Sequence, residues 1–335
     1  MHFDLTEDQK EIKRVARELL AARSSWVRVR EAAEAGAQYD QALWDELAGL
    51  GWPGIAVAEE HGGQGLGAVE LEVLLEELGY ACAATPFLST AAAAAAIQAA
   101  GSDAQRARWL PALASGEATA GIGTRALCAD GIGAQVLVLL DRPSGEAVLA
   151  TPNDTDVAPL ETIDPTRRYA TVSGGDAEPL GNGGATAVAA GDRVRAAIAA
   201  EVVGIARRAL EMTLAYVKER RQFGVPVGSF QAVQNRCAQM LLDTESARST
   251  ALYAAWAADA APERLSEAAA LAAAAAADGG RSVTASAIQA HGGIGFTWEA
   301  DVHWLYKRAQ LDAALLGGAR RHRATLAALA AARVA

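Results

Sequence analysis

Cysteine, proline and aromatic residues are all scarce in this 335-residue chain. It holds three cysteines, ten prolines and 5% aromatic residues. Cys82, Cys128 and Cys237 are odd in number and far apart, and neither His291 nor His303 has a cysteine nearby. That excludes a disulfide framework and a Cys/His zinc site, and it leaves reduced thiols packed as small apolar groups. Cation excess is also missing. The formal net charge is -10, so a phosphate backbone would be repelled and no nucleic-acid partner is expected. Membrane segments are missing too. The first twenty residues are charged and lack an apolar signal core, and the tracts AAAAAAIQAA and AAALAAAAAADGG are alanine runs. Alanine favours helix but is barely apolar, so these read as packed helices of a cytoplasmic protein with no membrane contact.

What is present is helical periodicity at both ends. Residues 1–113 read as an N-terminal helical domain. Its first helix opens on a capping box, Thr6 with Gln9, and aligns Ile12, Val15, Leu19 and Leu20 on one face. DQALWDELAGLGW repeats the pattern and stops at glycine. AVELEVLLEELGYA reads as a further amphipathic helix, and SDAQRARWLPAL as a short closing one. Residues 114–191 change texture. AQVLVLLD, GEAVLATP and YATVSG are strand-like runs, separated by the turn signals DRPSG, PNDTD and SGGDAEPLGNGG. Residues 192–335 are helical again, with one long helix from Asp192 to a glycine stop at Gly224, two more long helices, and a final helix after Trp298. The fold class is α+β, mostly α: a helical domain, a small reduced β-barrel-like domain and a C-terminal four-helix bundle.

In that order stand FDLTEDQ, LWDELAGLGWPGIAVAEEHGGQGLG, LEELGYACAATPFL, RWLPALASGEATA, IDPTRRYATV, YVKERRQFGVPVGSFQ and QAHGGIGFTWEADVHWLYKRA. This series, covering essentially the whole chain, resembles the acyl-CoA dehydrogenase family. The resemblance implies a flavin enzyme that converts an acyl-CoA to a trans-2-enoyl-CoA. FAD takes the hydride, an electron-transfer flavoprotein takes the electrons, and a carboxylate takes the Cα proton.

The resemblance assigns Arg220, Phe223 and Gln231 to contacts with the diphosphate and adenosine half of a neighbouring subunit's FAD. A guanidinium suits a diphosphate, and Gly224 lets the backbone turn. Gln289, Gly292 and Gly293 fall on the family's second flavin segment. Asp192 and Arg195 match positions near the CoA and acyl site, although a helix-start acid paired with an arginine explains them equally well. His291 reads as a packing or interface residue and Glu299 as a helix N-terminal charge.

The base is missing. Of the family's two positions for a catalytic glutamate, one aligns with Leu316, before Gly317-Gly318, and the other with Val194, before Arg195. Asp312 lies one turn from Leu316, about 5–6 Å away, where proton transfer needs about 3 Å. The stretch GIGTRALCADGIGAQVLV also lacks the family's flavin-cradling pattern. The chain thus resembles the non-catalytic subunit of α2β2 bacterial members, some of which serve steroid-side-chain catabolism. A catalytic acyl-CoA dehydrogenase subunit is the implied partner. Two other readings stay open: a self-sufficient homo-oligomer using an unusual base such as Asp312, and a flavin-free scaffold.

Overall fold

A computed structural model describes residues 4–36, 39–140, 147–175, 177–182 and 184–333. The turn expected at DRPSG, and Asp176 and Gly183 of the later turn signal, lie outside the described residues.

The N-terminal helices are α1 (Glu7–Arg23), α2 (Trp26–Glu34), α3 (Gln41–Gly49), α4 (Ala68–Tyr80), α5 (Phe87–Ala100) and α6 (Asp103–Ser115). The capping box on α1 forms as expected: Thr6 Oγ1 accepts from the Gln9 amide and Gln9 Oε1 accepts from the Thr6 amide. Ala16 and Leu20, rather than Val15, face the core. Helix α4 is not amphipathic: every residue from Leu71 to Tyr80 is buried, because α1 covers one side and the C-terminal bundle the other.

Seven strands follow: β1 (Ala120–Thr124), β2 (Leu127–Ala129), β3 (Val136–Leu140), β4 (Ala147–Ala150), β5 (Asp156–Pro159), β6 (Tyr169–Ser173) and β7 (Glu178–Pro179). They form one sheet in the order β5-β6-β2-β1-β3-β4-β7, antiparallel except for β1 beside β3. Strand β3 shows why its run is apolar throughout. Val136, Val138 and Leu140 join the main core, while Leu137 and Leu139 join a second core on the other face.

The bundle comprises α7 (Ala185–Glu219), α8 (Gln231–Ala260), α9 (Leu265–His291), α10 (Val302–Leu316) and α11 (Ala319–Ala332). Two expectations are corrected. Helix α7 starts at Ala185, seven residues before the start expected at Asp192. It ends at Glu219, where a hairpin of β8 (Arg221–Gln222) and β9 (Val225–Pro226) replaces the helical continuation to Gly224. The final helix is also two helices, broken where Gly317 and Gly318 take φ of 82° and 77°. Helices α4 and α7 cross closely: a Cβ at Gly204 would lie 1.8 Å from the Glu76 carbonyl oxygen, and one at Gly79 2.1 Å from that of Glu201. Cys82 and Cys128 are buried, Cys237 is half-buried, and all three are free thiols.

Candidate functional site

The hairpin after α7 is built at a conformational cost. Its two-residue turn, Phe223-Gly224, has φ of 53° and 81°. Left-handed backbone at both positions is the type I′ pattern, which suits glycine and penalises a bulky residue. Phe223 is nevertheless 93% exposed, its ring meeting only Phe230 edge-on at 6.2 Å. Strained backbone of this kind clusters at ligand-binding surfaces.

Beneath the hairpin lies an open groove of about 770 Å³. Arg220 and Phe223 line one side, and Gln289, His291, Gly292 and Gly293 from the end of α9 line the other. Five of the six flavin-contact residues expected from sequence therefore share one groove. Gln231 opens α8 beside it but is not among the lining residues, whereas Arg236, which was not singled out from sequence, is. The Arg220 guanidinium has no hydrogen bond or ion pair among the described residues. A Cβ added at Gly292 or Gly293 would meet no atom of the chain, so bare backbone faces open space. His291 stacks on Tyr216 at 4.4 Å, and its Nδ1 lies 2.7 Å from the Ala287 carbonyl. A carbonyl only accepts, so Nδ1 carries the proton and Nε2 is left as an acceptor. Burial holds the ring below the usual imidazole range. A free guanidinium and unshielded peptide groups form a donor set that fits the diphosphate half of a dinucleotide.

The two positions expected to carry a base sit elsewhere. Val194 on α7 and Leu316 at the end of α10 are 0% and 2% exposed, and both belong to the main apolar core. Asp192 and Arg195 do pair, at 2.6 Å, and Ser266 at the start of α9 donates to the second Asp192 oxygen at 2.6 Å. These contacts brace α7 against α9.

Asp312 belongs to a buried charge network that was not legible from the sequence. Arg167 bonds both Glu201 oxygens at 2.7 and 2.8 Å and Asp312 Oδ1 at 3.0 Å. Arg308 bonds Asp164 at 2.7 Å and also reaches Thr166 and the Ala83 carbonyl. Asp130 lies 3.7 Å from Arg167 and accepts from Ser89 at 2.6 Å. Two guanidiniums can balance two of these four carboxyl groups. Burial pushes Asp130 and Asp312 upward, and the Glu201 charge pushes Asp312 further. Burial would raise Glu201 as well, but Arg167 and Arg308 overcome it and hold Glu201 below the usual range. Asp312 is therefore held toward its protonated form, and its Oδ2 has no hydrogen-bond partner among the described residues.

Comparison with known proteins agrees with this architecture. The family profile described as "Acyl-CoA dehydrogenase, N-terminal domain" matches residues 6–117, and "Acyl-CoA dehydrogenase, C-terminal domain" matches residues 181–330. Acyl-CoA dehydrogenase IpdE2 of Mycolicibacterium smegmatis is 36% identical over 322 residues, covering 94% of this chain and 96% of that protein. Among solved structures, a variant of the Tcur3481-Tcur3483 steroid ACAD superposes with a TM-score of 0.87 at 30% identity, covering 98% of this chain and 99% of that one. The ChsE4-ChsE5 complex from Mycobacterium tuberculosis superposes with a TM-score of 0.88 at 26% identity, covering 99% of each chain. Two helical domains around a curled sheet, with both family profiles in register along the sequence, place this chain in the acyl-CoA dehydrogenase family.

Proposed function

We propose that this chain is the non-catalytic subunit of a heteromeric, FAD-dependent acyl-CoA dehydrogenase, and that it completes the FAD site of a catalytic partner. One contrast carries the reading. The groove keeps a free guanidinium and bare backbone, while aliphatic side chains sealed in the core stand where the family has its base. The paired names of the Tcur3481-Tcur3483 and ChsE4-ChsE5 structures support a two-subunit enzyme, and the word steroid in the first supports a bulky, ring-bearing acyl-CoA as substrate.

FAD, when bound, supplies hydride acceptance in the conversion of an acyl-CoA to a trans-2-enoyl-CoA, and an electron-transfer flavoprotein is the expected electron acceptor. In this chain Arg220 would hold the diphosphate, Phe223 would offer its face to the adenosine half, and the Gly292-Gly293 backbone would lie against the cofactor. Val194 and Leu316 are buried aliphatic side chains and take no proton. The partner provides the carboxylate.

Arg220→Ala tests this in the purified heteromer. It removes a charge-assisted contact worth about 1.5–3 kcal/mol, so FAD should bind roughly 10- to 100-fold more weakly while the two subunits stay together. Retention of FAD at wild-type affinity, read from flavin absorbance during titration, would discard the assignment of the groove.

Asp312→Asn separates this reading from self-sufficient catalysis. Asparagine keeps the shape of the side chain and an oxygen that can accept from Arg167. Turnover by the heteromer should be essentially unchanged, whereas loss of a general base costs about 10²–10⁴ in rate. A fall of that size with an unaltered melting curve would reinstate Asp312 as the base.

A further inference from the structure

Beyond the groove, around the loop that leads into α10, lies a second recess of about 400 Å³. Phe296, Trp298, His303, Tyr306 and Lys307 line it. Three features distinguish it from ordinary surface. Phe296 and Trp298 are 74% and 69% exposed in a chain with few aromatics. The Lys307 ammonium lies 4.0 Å from the Trp298 ring centroid and 4.7 Å from that of Trp304, within cation–π range. His303 is only 8% exposed, yet neither of its ring nitrogens has a hydrogen-bond partner.

The charge at this corner is unbalanced. Lys307 makes no ion pair among the described residues. Of the nearby acids, Asp301 binds Arg30 at 2.6 Å and Asp164 binds Arg308 at 2.7 Å, while Glu299 lines the adjoining groove. Burial and the positive charges of Lys307 and Arg30 hold His303 down at about 4, so its ring is neutral and offers one N–H donor. An ammonium and an imidazole N–H converging between aromatic walls are matched by a carboxylate carried on an apolar segment.

The surroundings favour a protein as the carrier. Thr297 lines both this recess and the groove beneath the hairpin, so the two adjoin. The exposed aromatics Phe223 and Phe230 line the groove and Phe296 and Trp298 the recess, with the exposed Ile294 also on the groove. Large exposed aromatics with a cation among them are the composition of an interface core.

We propose that this recess is a docking socket for the catalytic partner subunit: an acidic side chain, flanked by apolar residues, seats against Trp298 and places its carboxylate on Lys307 and His303. The inference rests on the heteromeric reading above, and its own test is separable from the FAD test.

The catalytic subunit that copurifies with this chain from its host would be identified by sequencing, expressed and purified. A carbodiimide would then join amines to carboxylates at zero length in the reconstituted heteromer. Lys307 should couple to an aspartate or glutamate of the partner, and Lys307→Glu should weaken assembly at least tenfold. Lys307→Met, which keeps the apolar stem, should weaken it less and serves as the fold control. Coupling of Lys307 to a second copy of this chain would overturn the proposal in favour of self-association. Wild-type assembly by Lys307→Glu, with no coupling at Lys307, would overturn it in favour of a small-molecule occupant. In both of those outcomes the Arg220 experiment still reads out FAD. Recovery of the chain only as an active homo-oligomer would overturn both readings.

Discussion

Arg308→Ala should destabilise the folded chain by about 3–5 kcal/mol, the usual cost of stripping one partner from a buried ion pair. Typical domains hold only about 5–15 kcal/mol, so the loss should appear as a large drop in the urea midpoint or as failure to accumulate. The size of the effect follows from what Arg308 joins. It stands on α10 and is 0% exposed. It reaches Asp164 and Thr166 in the loop before β6, the Ala83 carbonyl just after α4, and Glu201 on α7 at 3.5 Å. One guanidinium thus ties the N-terminal helices, the sheet and the bundle together. Its removal leaves Asp164 buried without a counter-charge. Arg308→Lys keeps a charge but cannot bridge the same set, because an ammonium lacks the planar fork. It should fall between the wild type and alanine. If Arg308→Ala melted within about 1 kcal/mol of the wild type, the network would be incidental to the fold.

This network also shows where reading the sequence stops working. The capping box on α1 is legible because Thr6 and Gln9 are three residues apart and the chemistry is local. Arg167 and Asp312 are 145 residues apart, and Asp164 and Arg308 are 144 apart; no periodicity or spacing connects them. From sequence, Asp312 is only an acid one turn from Leu316. The structure shows what holds it. Helix α7 starts seven residues before Asp192, and Gly191 sits inside it. Strands β1 and β2 went unread because AGIGT and LCA are covered on both faces, so they show no polar alternation. The proposed flavin groove was readable only through family resemblance. Arg220 and Gly292 lie on different elements, and neither motif alone names a cofactor. The docking recess did leave a signal: FTWEADVHWLYK concentrates aromatics in a chain otherwise poor in them.

Replacing Glu72 should have the opposite sign to replacing Arg308. Glu72 sits on α4, 3% exposed, with no hydrogen-bond partner for either carboxyl oxygen. Leu71, Leu75, Ala95 and Ala196 surround the small cavity of about 30 Å³ beside it. Burial, with the nearby Glu76 charge, pushes its carboxyl up to about 8, while Lys13 and Arg248 pull it only partly back. The unfolded chain releases this proton near 4.5. Between about pH 4.5 and 8 the folded state therefore binds more protons than the unfolded one, and stability falls as pH rises through that window. Above it the slope from this group vanishes. The loss across the window is on the order of a few kcal/mol. Glu72→Leu removes the titration and fills the site with apolar volume. It should raise the melting temperature at pH 8 by roughly 4–10 °C, with a smaller gain at pH 5. Asp130, Glu77 and Asp312 are also held above their usual values and give slopes of the same sign, but both chains share them. The difference between the two melting curves across pH isolates Glu72. Parallel curves would mean that Glu72 is solvated after all, by a water in a cavity that has room for about one. A divergence that opens between pH 5 and 8 and then stays constant would mean that α4 is packed against α7 at the cost of an acid kept neutral, so the bundle that carries the groove beneath the hairpin loosens as the medium becomes alkaline.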